Sequence, residues 1–192
     1  KYGGAIENRY YLEIENSNME NNYAEYGGAI DNDASEISMK NTQFKNNTAT
    51  ISGGAIYNDC GKIEIADSNF TQNTATYGGA IRSDEGETTI ENSNFTNNTA
   101  EYGGAIDNWG AATILKTQFI NNHAETAGGA IYNEGDATLT NTKFTDNNAT
   151  VGGAIETKSD MSISNSEFIG NGEDCIDVNS GAKITLNNVS SD

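Results

Sequence analysis

Apolar and polar residues alternate along most of this chain, in runs too short for helices. Segments such as Glu36–Asn41 (EISMKN) and Lys62–Asp67 (KIEIAD) have a period of two, as strands with one buried face do, and no i, i+3, i+4 apolar stripe marks a helix. The apolar positions also recur at long range. GGAI begins at residues 3, 27, 53, 78, 103, 128 and 152, in steps of 24, 26, 25, 25, 25 and 24. An aromatic followed three places later by Asn keeps the same step: Phe44/Asn47, Phe70/Asn73, Phe95/Asn98, Phe119/Asn122, Phe144/Asn147 and Phe168/Asn171, with Met19/Asn22 in the first copy. Five residues before each of these stands an aliphatic residue (Ile14, Met39, Ile65, Ile90, Ile114, Leu139, Ile163), and two before it a Ser or Thr.

A unit of this size, holding two or three short strands, cannot bury its own apolar face, so successive units must stack and share a core. The expectation is an all-β solenoid. At the ~4.8 Å spacing of neighbouring strands, each repeat position becomes a column. Ile6, Ile30, Ile56, Ile81, Ile106, Ile131 and Ile155 form one apolar ladder, and the Phe series another. Asn22, Asn47, Asn73, Asn98, Asn122, Asn147 and Asn171 form a hydrogen-bonded amide ladder. A second amide ladder is Asn8, Asn32, Asn58, Asn108 and Asn133, interrupted by Ser83 and Thr157. The Gly pair supplies a positive φ or a close approach of neighbouring coils. Alternation from an inward Ile turns the Ala of GGAI outward, and the NTAT linkers read as irregular. After Phe168 the pattern shortens, with Cys175 in the Ala column. The chain thus reads as one repeat domain over 1–192, regular over 1–171 and divergent over 172–192, a segment of a longer protein with uncapped ends that allow end-to-end association.

Composition narrows the class. Only 35% of residues are hydrophobic, with 21 Gly and no Pro, and Asn fills about one position in seven. Such a chain must use its apolar residues sparingly. With 28 Asp and Glu against 10 Lys and Arg, the formal charge is −18, which repels phosphate backbones and anionic lipid alike. Nucleic acid is not an expected partner. No apolar run is long enough to insert in a membrane, and there is no signal peptide pattern.

The paired GGAI and FxxN motifs resemble the repeats of chlamydial polymorphic outer-membrane proteins, and wording such as FTNNTAEYGGAIDN resembles adhesin-like surface proteins of methanogenic archaea. The resemblance covers Lys1 to about Asn171. It implies a right-handed parallel β-helix of about seven to eight coils of 24–26 residues, displayed at the cell surface and used in adhesion to a protein or glycan, without catalysis or cofactor.

Parallel β-helices also carry polysaccharide lyases and hydrolases, and EDCIDV resembles the paired-acid segment of polygalacturonase-like enzymes, with Glu173, Asp174 and Asp177 as the candidate carboxylates. The accompanying His and basic residues are missing. The outward column after the Ile ladder reads Glu7, Asp31, Tyr57, Arg82, Asp107, Tyr132, Glu156. Arg82 stands one coil from Asp107, the spacing of a surface ion pair. Tyr2, Tyr26, Tyr77 and Tyr102 precede GG, and Tyr57 and Tyr132 follow GGAI; exposed tyrosine columns suit glycan or protein binding, or brace one another. Candidate binding residues are therefore Tyr26, Asp31, Tyr57, Tyr77, Arg82, Tyr102, Asp107 and Tyr132. Asp84, Glu85 and Glu87 offer oxygen ligands for weak Ca²⁺ binding. Asn46, Asn69, Asn94, Asn97, Asn148 and Asn188 head glycosylation sequons. His123, the one histidine, replaces a linker Thr and has no triad spacing. Cys60 and Cys175 lie about five coils, ~24 Å, apart and cannot bridge. A structural fibre and a polysaccharide-active enzyme are the competing readings to a surface adhesin.

Overall fold

A computed structural model describes residues 1–172 and 174–192. It is a right-handed parallel β-helix; among the described residues, 24 of its strands fall into three sheets of eight and the other four into two two-stranded sheets. Seven of the eight strands in the first sheet start on the GGAI isoleucine, as in Ile30–Asp33, Ile56–Asp59, Ile81–Asp84 and Ile106–Asn108, and the eighth starts on Ile176. The second holds alternating segments such as Glu36–Lys40 and Lys62–Ala66, and the third holds Phe-centred triplets such as Asn69–Thr71 and Asn94–Thr96. Pairing is parallel and like meets like: Ile81 with Ile106, Ile65 with Ile90, Phe70 with Phe95.

The core is built from these columns. The phenyl rings from Phe44 to Phe168 stack at 4.6 to 5.1 Å between centroids, and all six are buried. Beside them runs the complete Asn ladder. In each interior rung, from Asn47 to Asn147, the backbone N–H and Nδ2 donate to Oδ1 of the Asn in the following coil, and the second Nδ2 hydrogen goes to a carbonyl of the preceding one. Asn98, for example, donates twice to Asn122 Oδ1, at 3.0 and 2.9 Å, and to the Phe70 carbonyl at 3.0 Å. The second ladder runs into hydroxyls at its interruptions, Asn58 donating to Ser83 Oγ at 3.2 Å and Asn133 to Thr157 Oγ1 at 3.1 Å, but it is not continued past Ser83, because Asn108 Oδ1 in the next coil has no hydrogen-bond partner. The Ser and Thr column does related work at another corner: Ser68 N–H donates to Ser93 Oγ at 3.1 Å.

The two glycines of GGAI have separate causes. Gly78 sits at φ +64°, a left-handed conformation in which a side chain is strained. Gly79 has no such φ, but a Cβ on it would land on the carbonyl of Gly104 in the next coil. Asn has a second use that the repeat spacing did not separate from the ladder. Asn41, Asn92, Asn141, Asn46 and Asn97 all hold φ between 49° and 56° at exposed corners, where Asn tolerates the left-handed region better than most residues.

Two expectations are corrected. The Ala of GGAI points inward: Ala29, Ala55, Ala80, Ala105, Ala130 and Ala154 are fully buried in the core. Alternation fails there because Ala occupies the bend before the strand, where its carbonyl takes two donors; Ala80 N–H and Ile81 N–H both reach the Ala105 carbonyl, at 2.9 and 3.0 Å. The linkers are ordered too. Tyr23–Tyr26 pairs with Thr48–Ser52 and Thr99–Tyr102 with His123–Ala127, each with a register shift, because their small Ala24, Ala49, Ala100 and Ala124 turn inward. Cys175 does take the Ala place, its carbonyl accepting Ala154 and Ile155 N–H at 2.9 and 3.0 Å. Cys60 and Cys175 are free thiols.

Candidate functional site

Three adjacent columns of the first sheet make the chemically richest face. The middle one is the outward column Glu7, Asp31, Tyr57, Arg82, Asp107, Tyr132, Glu156, Asp177, in register throughout. On one side lies the residue before GG: Tyr2, Tyr26, Ser52, Tyr77, Tyr102, Ala127, Val151, joined by bridges between coils. On the other lies the residue two places further along the strand, which includes Asp33, Asp59 and Asp84 in neighbouring coils.

From Asp31 to Glu156 the middle column is not an exposed surface. Asp31 is 3% exposed, Asp107 0%, Tyr132 5% and Glu156 6%, because longer side chains in the flanking columns lean over it. Tyr57 packs on Tyr26 with centroids 5.3 Å apart, and Tyr132 meets Tyr102 edge-on at 5.3 Å. The GG-flanking tyrosines also stack between coils, Tyr2 on Tyr26 at 5.1 Å and Tyr77 on Tyr102 at 5.7 Å. Bracing therefore consumes part of each ring, while Tyr77 keeps 37% exposure.

Arg82 is the centre of a nest. Its guanidinium pairs with Asp84 at 2.5 Å and with buried Asp107, and it lies 4.7 Å from the Trp109 ring and 5.6 Å from that of Tyr77. The Trp109 indole N–H donates to the other Asp107 oxygen at 2.9 Å, and the Tyr57 hydroxyl donates to Asp84 at 2.8 Å. The expected surface ion pair is thus enclosed. Burial pushes the Asp107 carboxyl up to about 7, against the opposite pull of Arg82 and the indole. Burial and the Asp84 carboxylate push the Tyr57 hydroxyl up as well.

Three coils on, Lys158 repeats the arrangement. Its ammonium contacts the Tyr132 hydroxyl, reaches Glu134 at 3.0 Å and lies 4.7 Å from the Tyr132 ring. Burial and Glu134 push the Tyr132 hydroxyl up to about 12. Glu156 accepts from Asn179 at 2.7 Å. Trp109, Glu134, Lys158 and Asn179 were not singled out in the sequence, although stepping two places from the outward column reaches all of them.

The other candidates are dispersed. Asp84 is engaged by Arg82 and Tyr57, so it does not join exposed Glu85 and Glu87 as an oxygen cluster. Among the described residues no group of three acidic, His or Cys side chains is spaced to hold a metal. Of the presumed catalytic acids, Glu173 lies outside the described residues. Asp174 lines a pocket with Phe168, Cys175 and Leu186, whereas Asp177 pairs in register with Glu156 on the outer face. Asn46, Asn94, Asn97, Asn148 and Asn188 are exposed sequon residues, and Asn69 is half-buried. Among the described residues no helix is long and apolar enough to cross a membrane.

The right-handed β-helix region family matches residues 52–191, well over half of the chain. The repeat of the Chlamydia polymorphic membrane protein matches residues 41–59, which span the third GGAI and the Phe44/Asn47 motif. No curated protein and no solved structure matches the chain.

Proposed function

The chain belongs to the right-handed β-helix family, and from that premise we propose that it is a non-catalytic, adhesin-like scaffold of the cell surface that binds a protein or glycan on another cell. The observation that carries this reading is the face built on the YGGAI columns, where aromatic rings and charged groups concentrate on a rod otherwise made of uniform ladders. Similarity to the polymorphic membrane protein repeat supports a surface location. A rigid solenoid suits the task because its columns hold side chains at fixed spacing with little entropy left to lose on binding.

The test is to present the whole chain to glycan arrays and to partner cells. Saturable binding that weakens when Tyr77 and Trp109 are replaced by Ser is expected. Turnover of an acidic polysaccharide, with no binding anywhere, would sink the reading. A polysaccharide-active enzyme is the second reading, favoured by one observation: Asp177 stands in register with Glu156, which burial pushes above the ordinary carboxylate range. Activity lost in Asp177→Asn, with the fold intact, would establish it. Continuous filaments in electron micrographs would instead favour a structural fibre.

A further inference from the structure

YGGAIDN occurs twice, at Tyr26–Asn32 and Tyr102–Asn108, and the two copies are finished differently. In the second, Asp107 is paired by Arg82 from the coil before it and by the Trp109 indole. In the first, Asp31 is buried too, yet its Oδ1 has no hydrogen-bond partner. The residue in the place of Arg82 is Glu7, and the residue on the far side is Tyr57. A pocket of about 270 Å³ opens there, lined by Tyr2, Glu7, Arg9, Asp31, Asp33 and Asp59. It holds four carboxylates and one cation. That cation, Arg9, is spent at the exposed rim, 2.5 Å from Glu7 and 3.5 Å from Asp33.

We propose that this pocket binds a guanidinium group, the arginine side chain of a protein partner, seated against Asp31 as Arg82 is seated against Asp107. The chain supplies its own template for the occupant. On this same face it twice places a cation between a carboxylate and an aromatic ring, at Arg82 with Trp109 and at Lys158 with Tyr132. At Asp31 the acids are present, and Tyr2, stacked on Tyr26, supplies the ring wall. A planar, multiply donating group matches several spread carboxylates better than a compact ion does. No three of these carboxylates converge as metal ligands do. Burial, then Glu7, Asp33 and Asp59, push the Asp31 carboxyl up to about 7, against the pull of Arg9.

The assignment rests on reading this face as the recognition face, and the experiment separates the two. Acetyl-Gly-Arg-Gly-amide is titrated into the full chain while the Asp31 carboxyl carbon and, in every variant, the backbone amides of residues 30–33 are followed by NMR, with the citrulline peptide and CaCl₂ in parallel. Expected is a saturable shift with the arginine peptide, none with citrulline, and a loss of affinity of ~30-fold or more in Asp31→Asn. Glu7→Arg, which puts a guanidinium where Arg82 stands relative to Asp107, should block the probe and lower the Asp31 carboxyl relative to wild type, because a raising carboxylate is exchanged for a cation. Equal binding to wild type, Asp31→Asn and Glu7→Arg overturns the proposal, as does Ca²⁺ displacing the peptide from Asp31. Cell adhesion that survives unchanged in Asp31→Asn overturns the role of the pocket and leaves adhesion standing. Peptide binding with no adhesion at all upholds the pocket and removes the adhesin reading.

Discussion

Replacing Asn98 by Ala tests what the amide ladder contributes. Asn98 is fully buried. Its Oδ1 accepts from the backbone N–H and the Nδ2 of Asn73, both at 3.0 Å, while its own Nδ2 reaches Asn122 at 2.9 Å and the Phe70 carbonyl at 3.0 Å. Alanine strands the Asn73 backbone N–H and one amide hydrogen where water cannot reach them, each at a cost of about 1–3 kcal/mol. The expected loss is ~2–6 kcal/mol. The same change at Asn22, in the first rung, should differ. Asn22 is half-buried and its Nδ2 donates to Asn47 at 2.9 Å, but among the described residues no group donates to its Oδ1, so Ala strands no donor and costs ~0.5–1.5 kcal/mol. Urea unfolding reads the contrast: with a slope of ~1–3 kcal/mol per M, the Asn98→Ala midpoint falls by ~1 M or more and that of Asn22→Ala clearly less. Asn98→Asp adds a sign. The new carboxyl would face two acceptors, Asn122 Oδ1 and the Phe70 carbonyl, so its folded-state pKa rises above ~3.9 and the variant loses stability as pH increases from there. Equal midpoints for the two Ala variants, or an Asn98→Asp variant most stable at high pH, would refute the ladder argument.

Gly79→Ala should destabilise strongly and disturb coil spacing, since its Cβ meets the Gly104 carbonyl, while Gly172→Ala, at φ +87° with open space around it, should cost only ~1 kcal/mol of strain; thermal unfolding compares them. Arg82→Met leaves Asp107 buried with the indole alone and should cost ~3–5 kcal/mol, largely recovered by adding Asp107→Leu; a double-mutant cycle measures the coupling. Because the folded-state pKa of Asp31 is raised to about 7, its contribution to stability is full below ~3.9 and is lost as pH rises through 7. Asp31→Asn should therefore flatten the decline in stability over that window, read from denaturation at several pH values, with Glu7, Arg9, Asp33 and Asp59 as the charged groups facing it.

The architecture was legible because stacking turns each structural requirement into a repeated letter. Phe95, Asn98 and Ile106 each recur at a step near 25, and all three stand in the columns that the step defines. What spacing could not convey was the geometry between strands. Ala105 obeys no alternation because it lies in a bend, and Asn97 and Asn98 are adjacent identical letters with unrelated roles, one at a left-handed corner and one in the ladder. The site was half legible. Alternation placed Asp31, Arg82 and Asp107 on the outer side of the sheet, but it assigns direction and not cover. Whether an outward residue meets solvent depends on how far its flanking neighbours lean, so Trp109 buries Asp107 and Lys158 shields Tyr132. Those contacts depend on rotamers, and no periodicity encodes them.

The direction of the ladders also fixes how the molecule carries a load. Strand pairing joins residues 24 to 26 apart in neighbouring coils, so tension entering through the backbone acts on the outermost coil alone and peels it from the one beneath. Each coil released adds ~80 Å of slack chain while the remaining stack stays intact. A tether of this build lengthens in a staircase, dissipating work at every step, where a globular domain would give way in one rupture.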